Sequence, residues 1–172
     1  MSSRIYKTFT DVEQSTRASY FSNEPELRQA FIEALKNELE ILCANMKKGK
    51  FYDYGLIPFI DRTITETRPD IRLGNFIIEV EPPNSDLSKG RKQLLNYICE
   101  LSEKLGSNVE IYGIVTNGAE AEHWYFKGGS CNNIERKESG DMNTIMRHVL
   151  HEFCSKKMTI TEPDQLVAIF GV

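Results

Sequence analysis

The stretch TETRPDIRLGNFIIEVEPP, residues 65–83, sets a Gly-Asn pair between two apolar runs and surrounds it with Asp70, Glu79 and Glu81. Gly74-Asn75 is the signal of a two-residue hairpin turn. With that turn, Leu73 falls opposite Phe76, Arg72 opposite Ile77, Ile71 opposite Ile78, and Asp70 opposite Glu79. Side chains alternate faces along a strand. Ile71, Leu73, Phe76, Ile78 and Val80 therefore share an apolar face suited to packing on a helix, and Asp70, Glu79 and Glu81 share the other. Directly opposed Cβ atoms stand about 4.5–5.5 Å apart, where like charges destabilise the pair. A hard cation such as Mg²⁺ removes that conflict by taking carboxylate oxygens and keeping waters. The bland alternative is a solvent-facing hairpin whose acids pair with Arg68 or Arg72. The register is decisive, since a slip of one residue would exchange the two faces.

Working outward, Leu27, Phe31, Leu35 and Leu42 recur at helical spacing and predict a helix from Glu24 to Ala44, with Asn23 as its N-cap and Pro25 in its first turn. Residues 1–22 read as an N-terminal arm or a weak helix. FYDYGLIPFI suggests a strand ahead of the hairpin. A second helix is expected from Lys89 to Leu105, with Leu94, Leu95, Ile98, Leu101 and Leu105 on its apolar face and Gly106 ending it. VEIYGIVT and EHWYF read as strands, closed by Asn117-Gly118 and Gly128-Gly129. A last helix is expected from Asp141 to Cys154. Helix, three strands, helix, two strands, helix is the order of an α/β domain with a mixed sheet flanked by helices.

The 172 residues suit one domain with a real core, and 40% apolar and 27% charged residues is an ordinary globular composition. No apolar run approaches the ~20 residues that span a bilayer. The opening MSSRIYKTFT lacks the apolar core of a secretory signal. Cys43, Cys99, Cys131 and Cys154 have no CxxC spacing, which suggests reduced thiols in the cytoplasm, with Cys99 and Cys154 as small core residues. His123, His148 and His151 form no ligand pattern. A net charge of −4 argues mildly against a chain devoted to gripping phosphates, although acids that hold a divalent metal are partly neutralised when loaded.

Pro69-Asp70, Glu79-Val80-Glu81 and the helical Gln93-Leu94-Leu95-Asn96-Tyr97 together resemble the PD-(D/E)XK nuclease superfamily, the last element being similar to the QxxxY motif of its RecB-like branch. Glu24 followed by Arg28 at the start of a helix, and the stretch IYGIVTNGAEAEHWYF, resemble the N-terminal nuclease domains of type I restriction subunits. The similarity covers approximately residues 23–127. It implies a restriction-endonuclease-like fold, DNA as substrate, and hydrolysis of phosphodiesters with Mg²⁺ or Mn²⁺. It implies Asp70 and Glu79 as metal ligands, Glu24 reaching the same or a second metal, and Gln93 and Tyr97 beside the metal or substrate.

Glu81 stands where the family carries a lysine. Three readings stay open: Glu81 is a further acid beside the metal, Lys89 or Lys92 has taken over the lysine's place, or catalysis has been lost. Lys89 extends the stripe of Gln93 and Tyr97 by four residues. The resemblance further implies a nuclease domain over residues 23–155. Residues 156–172 would then be a C-terminal segment, similar to those leading into helicase or methyltransferase parts, with such domains or specificity subunits as partners. The competing expectation is a catalytically silent nuclease-fold module that binds nucleic acid or a partner protein. An RNA-cleaving nuclease is a third.

Overall fold

A computed structural model describes residues 5–45, 59–60, 70–73, 75–106 and 108–156. Among them a six-stranded sheet runs in sequence order. Its strands are β1 (Phe59–Ile60), β2 (Ile71–Leu73), β3 (Phe76–Val80), β4 (Ile111–Thr116), β5 (Glu120–Phe126) and β6 (Ile134–Asp141). Only β3 and β4 pair in parallel, and the crossover between them is helix α3 (Ser88–Leu105). Helices α1 (Phe9–Arg17), α2 (Glu24–Asn45) and α4 (Met142–Lys156) are the other α-helices among the described residues. The α/β architecture is the expected one, a mixed sheet flanked by helices, consistent with a restriction-endonuclease-like fold. No described helix is long and apolar enough to cross a membrane.

The hairpin has the expected register: Ile71 pairs with Ile78, Arg72 with Ile77 and Leu73 with Phe76. Alternation then divides β3 between two cores. Phe76, Ile78 and Val80 join Ile71 in the larger one, against Leu27, Phe31 and Leu35 of α2, Phe9 and Val12 of α1, and Met146, Val149 and Phe153 of α4. Ile77 faces the other way, towards Leu94, Ile98 and Leu101 of α3. Strand β4 is buried along its whole length, as a central strand with helices on both faces must be.

Three elements differ from the sequence reading. Residues 9–17 form a helix that is part of the core, with Phe9 and Val12 fully buried. A capping box starts it: the Asp11 amide donates to Thr8 Oγ1 at 3.1 Å, and the Thr8 amide donates to Asp11 Oδ2 at 3.1 Å. Strand β6, IERKESGD, has no apolar alternation to announce it. It is held by backbone pairing along β5, and its charges suit an edge strand. Of the strand expected in FYDYGLIPFI, Phe59–Ile60 is present and the rest lies outside the described residues, as do Pro69, Arg68 and residues 157–172.

The helix readings hold to within two residues. Asn23 caps α2 by accepting the Glu26 amide at Oδ1, 3.0 Å away. Gly106 closes α3 at φ +101°, a left-handed conformation that favours glycine. Cys154 is buried as expected, whereas Cys99 is half-buried beside Cys131. His148 and His151 are exposed on α4, and His148 Nδ1 lies 3.1 Å from Glu138.

Candidate active site

The parallel step from β3 to β4 opens a cleft at the carboxyl ends of the two strands. Glu79 is the second-last residue of β3 and Glu81 follows the strand directly. The Glu81 amide donates to the Thr116 carbonyl at 2.8 Å, which extends the pairing one step further. Beyond it, residues 82–87 turn into α3. Asn117 clamps that turn: its Nδ2 donates to the Ser85 carbonyl at 2.7 Å, while its Oδ1 accepts the amides of Ala119 and Glu120. Gly118, at φ +89°, lets the chain pass against α1, since a Cβ there would stand 2.4 Å from Thr16 Oγ1. The Thr-Asn-Gly stretch thus fixes the loop behind the acids and does not itself line the cleft.

All seven residues singled out in the sequence line one cleft of about 490 Å³: Glu24, Asp70, Glu79, Glu81, Lys89, Gln93 and Tyr97. Pro82, Ser85 and Asp86 complete its wall. Of the two candidate lysines, Lys89 reaches the cleft and Lys92 does not. Lys89, Gln93 and Tyr97 form the expected stripe along α3. Tyr97 senses the acids directly: burial and the nearby Glu79 and Asp70 push its phenol up to about 12, so it stays a hydrogen-bond donor.

Asp70 and Glu79 lie within hydrogen-bonding range of each other, as the register requires. Asp70 is held at both oxygens. Oδ2 accepts the Val80 amide at 2.8 Å, and Oδ1 accepts from Arg28 Nη1 at 3.0 Å. Its cation therefore comes from α2; Arg68 of the bland alternative lies outside the described residues. Glu79 is only 3% exposed, and its Oε2 has no hydrogen-bond partner among the described residues. Burial first, then Asp70 and Glu81, push its carboxyl up to about 9. Two adjacent carboxyl groups in so dry a place share a proton rather than both ionising.

Glu81 sits beneath the first turn of α3. The Gly90 amide donates to its carboxylate, and a Cβ at position 90 would stand 2.6 Å from Glu81 Cδ. Gly90 is thus a requirement that helical periodicity does not display, and it explains the acid at position 81: the positive end of a helix welcomes a carboxylate and disfavours an ammonium. Burial, Glu24 and Asp70 still raise the Glu81 carboxyl, and Lys89 and the Gly90 amide offset part of that rise. Glu24 is likewise raised, by burial and Asp70, against Arg28 and Lys89.

Among the described residues no group of three or more His, Cys, Asp or Glu side chains is already gathered around a common point as a metal cage would be. A cage is not what Mg²⁺ needs, because one or two carboxylates, completed by water and substrate phosphate, commonly suffice. The all-oxygen donor pair Asp70–Glu79 and the orphaned, buried Glu79 Oε2 fit such an ion. Comparison with known proteins returns nothing: no family model, no curated protein and no solved structure matches the chain.

Proposed function

We propose that this chain is a metal-dependent endonuclease module that hydrolyses DNA phosphodiesters, working in the cytoplasm as part of a restriction or restriction–modification system. The observation that supports it best is the buried Glu79 beside Asp70, its Oε2 without a partner among the described residues, in the cleft that also gathers Lys89, Gln93 and Tyr97. Structural acids are not left in that condition, because a buried polar oxygen without a donor is costly. Asp70 and Glu79 would hold Mg²⁺ or Mn²⁺, with Glu24 at the rim. When bound, that ion supplies a water of lowered pKa and offsets charge on the phosphate.

The remaining residues have separable tasks. Lys89 would supply the ammonium that the nuclease family takes from its strand lysine, while Glu81, held by the Gly90 amide, braces the turn into α3. Gln93 and Tyr97, which line the cleft, would offer hydrogen bonds to the metal's waters or to the substrate. The grip on DNA and the reading of its sequence come from helicase, methyltransferase or specificity partners, which suits a module of net charge −4.

Supercoiled plasmid incubated with Mg²⁺, with Mn²⁺ and with EDTA tests this reading. Nicking is expected with either metal, none with EDTA, and at least a ~100-fold loss in Asp70→Asn, the scale of removing a main transition-state stabiliser. Lys89→Ala should lose cleavage while metal still raises the thermal midpoint, and Glu81→Gln should retain most of it. The reverse pattern would make Glu81 the active acid. The second reading, a silent module that binds nucleic acid or a partner, is favoured by the acid at position 81 and by Arg28 already seated on Asp70. It prevails if the wild type leaves DNA uncut with both metals and Glu81→Lys does not switch cutting on.

A further inference from the structure

Arg28 stands against the acids of the cleft, and the nuclease reading assigns it no task. It rises from the second turn of α2, stands 3.0 Å from Asp70 Oδ1, and stands 3.8 Å from Glu24 Oε1. Asp70 Oδ2 is committed to the Val80 amide. Oδ1 accepts no backbone amide, which makes it the less committed oxygen, and the guanidinium lies on it. The pair is substantially shielded, with the Asp70 side chain 13% exposed and that of Arg28 26%. A guanidinium and a divalent cation on the same oxygen repel strongly at such burial.

We propose that Arg28 is the resident counter-cation of this cleft, competing with the divalent metal for Asp70 Oδ1 and releasing it when the metal loads. The proposal rests on the metal reading of the site and deepens it. Arg28 is a positioning residue: it holds Asp70 and Glu24 together and sets how tightly the metal binds. Loading converts a guanidinium tied to two acids into one free to meet an anion at the cleft mouth, where a phosphodiester is the anion that the reading supplies. Metal would thus be required for tight DNA binding as well as for cutting, because the two events are linked through one side chain.

The test is Mn²⁺ titration of the full chain by calorimetry, in wild type, Arg28→Met and Arg28→Lys, with circular dichroism to confirm folding. Met keeps the apolar stem and removes the charge. Competition predicts that Arg28→Met binds Mn²⁺ about tenfold more tightly than wild type, the usual scale of a coupled pair of sites. Arg28→Lys, which keeps the charge, should stay near the wild-type value. If Arg28 merely props Asp70 in place, Arg28→Met binds Mn²⁺ more weakly or equally, and the proposal is overturned while the metal reading stands. If neither wild type nor Arg28→Met binds Mn²⁺, both fall. Should Arg28→Met fail to fold, the folded Arg28→Gln replaces it with the same two outcomes.

Discussion

Two carboxylates lie in one row of the sheet. Glu79 of β3 pairs with Val115 of β4, and Val115 pairs with Glu122 of β5. Both acids face α3, and both are buried. Glu122 is closed: Arg91 Nε donates to its Oε1 at 2.8 Å, Arg91 Nη2 to its Oε2 at 2.6 Å, and Trp124 Nε1 to Oε1 at 3.0 Å. Arg91 and Trp124 hold its carboxyl below the ordinary range. Glu79 has a second acid where Glu122 has an arginine, and its carboxyl moves the opposite way, to about 9. The same residue type, on the same face and under the same helix, is closed in an ion pair at one place and left with an open oxygen at the other. What separates them is which α3 side chain looks down: Arg91 on one side, the stripe of Lys89, Gln93 and Tyr97 on the other.

The largest expected effect is a crossed pair of substitutions. Glu79→Gln should abolish plasmid cleavage, by ~100-fold or more as for loss of a main stabilising group, and leave the fold intact. Glu122→Gln should leave cleavage per folded molecule within a few-fold. It should cost about 2 kcal/mol of stability, below the ~3–5 kcal/mol of a fully buried pair because Arg91 is a third exposed. Urea unfolding beside the nicking assay reads both. If Glu122→Gln kills cleavage and Glu79→Gln does not, the active acid has been placed on the wrong strand.

Next in size is the pH dependence of stability in EDTA, where the two acids pull in opposite directions. Glu79 titrates higher in the folded chain than in the unfolded one, so between about pH 4.5 and 9 the folded state binds the extra proton. Stability then falls as pH rises through that window, by at most ~1.4 kcal/mol per unit from this group. Glu81 and Glu24, also raised, add to the same slope. Glu122 is depressed, so its contribution is present above its unfolded value and lost as pH falls through its folded one. Glu79→Gln should flatten the neutral-to-alkaline limb, and Glu122→Gln should soften the acid limb. An unchanged alkaline limb in Glu79→Gln would mean that Glu79 is ionised and paired.

The open acid was legible in the sequence and the closed one was not. Glu79 could be placed because a Gly-Asn turn sets a register and alternation then assigns every face from Ile71 to Val80. The stripe 89, 93, 97 followed from helical spacing alone, so all seven candidates meet in one cleft. Arg28 stood out only for its spacing from Glu24, and nothing local announced its contact with Asp70, which it reaches across 42 positions of chain. Arg91 and Glu122 are 31 apart, and nothing in either neighbourhood joins them. Gly90 is hidden for a different reason: it sits inside a regular helix, and only the close approach of Glu81 and Val115 beneath it leaves no room for a Cβ unless they shift. Strand β6 escaped because pairing, not burial, builds it.

The smallest expected effect tests how closed the closed acid is. Trp124, the one tryptophan of the chain, donates its indole N–H to Glu122 Oε1. Trp124→Phe removes that donor but leaves Arg91 on both carboxylate oxygens, so no buried oxygen is orphaned. The hydrogen-bond loss is then about 1 kcal/mol, the net value of an ordinary hydrogen bond. Phe also fills less space, and Trp124 packs against the core beneath α3. A cycle with Glu122→Gln and the double variant, followed by circular dichroism in urea, separates the two contributions. The packing loss appears in both backgrounds, whereas the hydrogen-bond share shrinks when the carboxylate is gone. A coupling of about 0.5–1 kcal/mol is expected, with no change in Mn²⁺ affinity at the other end of the row. A Trp124→Phe variant that weakened Mn²⁺ binding would show the row to be one electrostatic unit, and the contrast between Glu79 and Glu122 would then be a difference of degree.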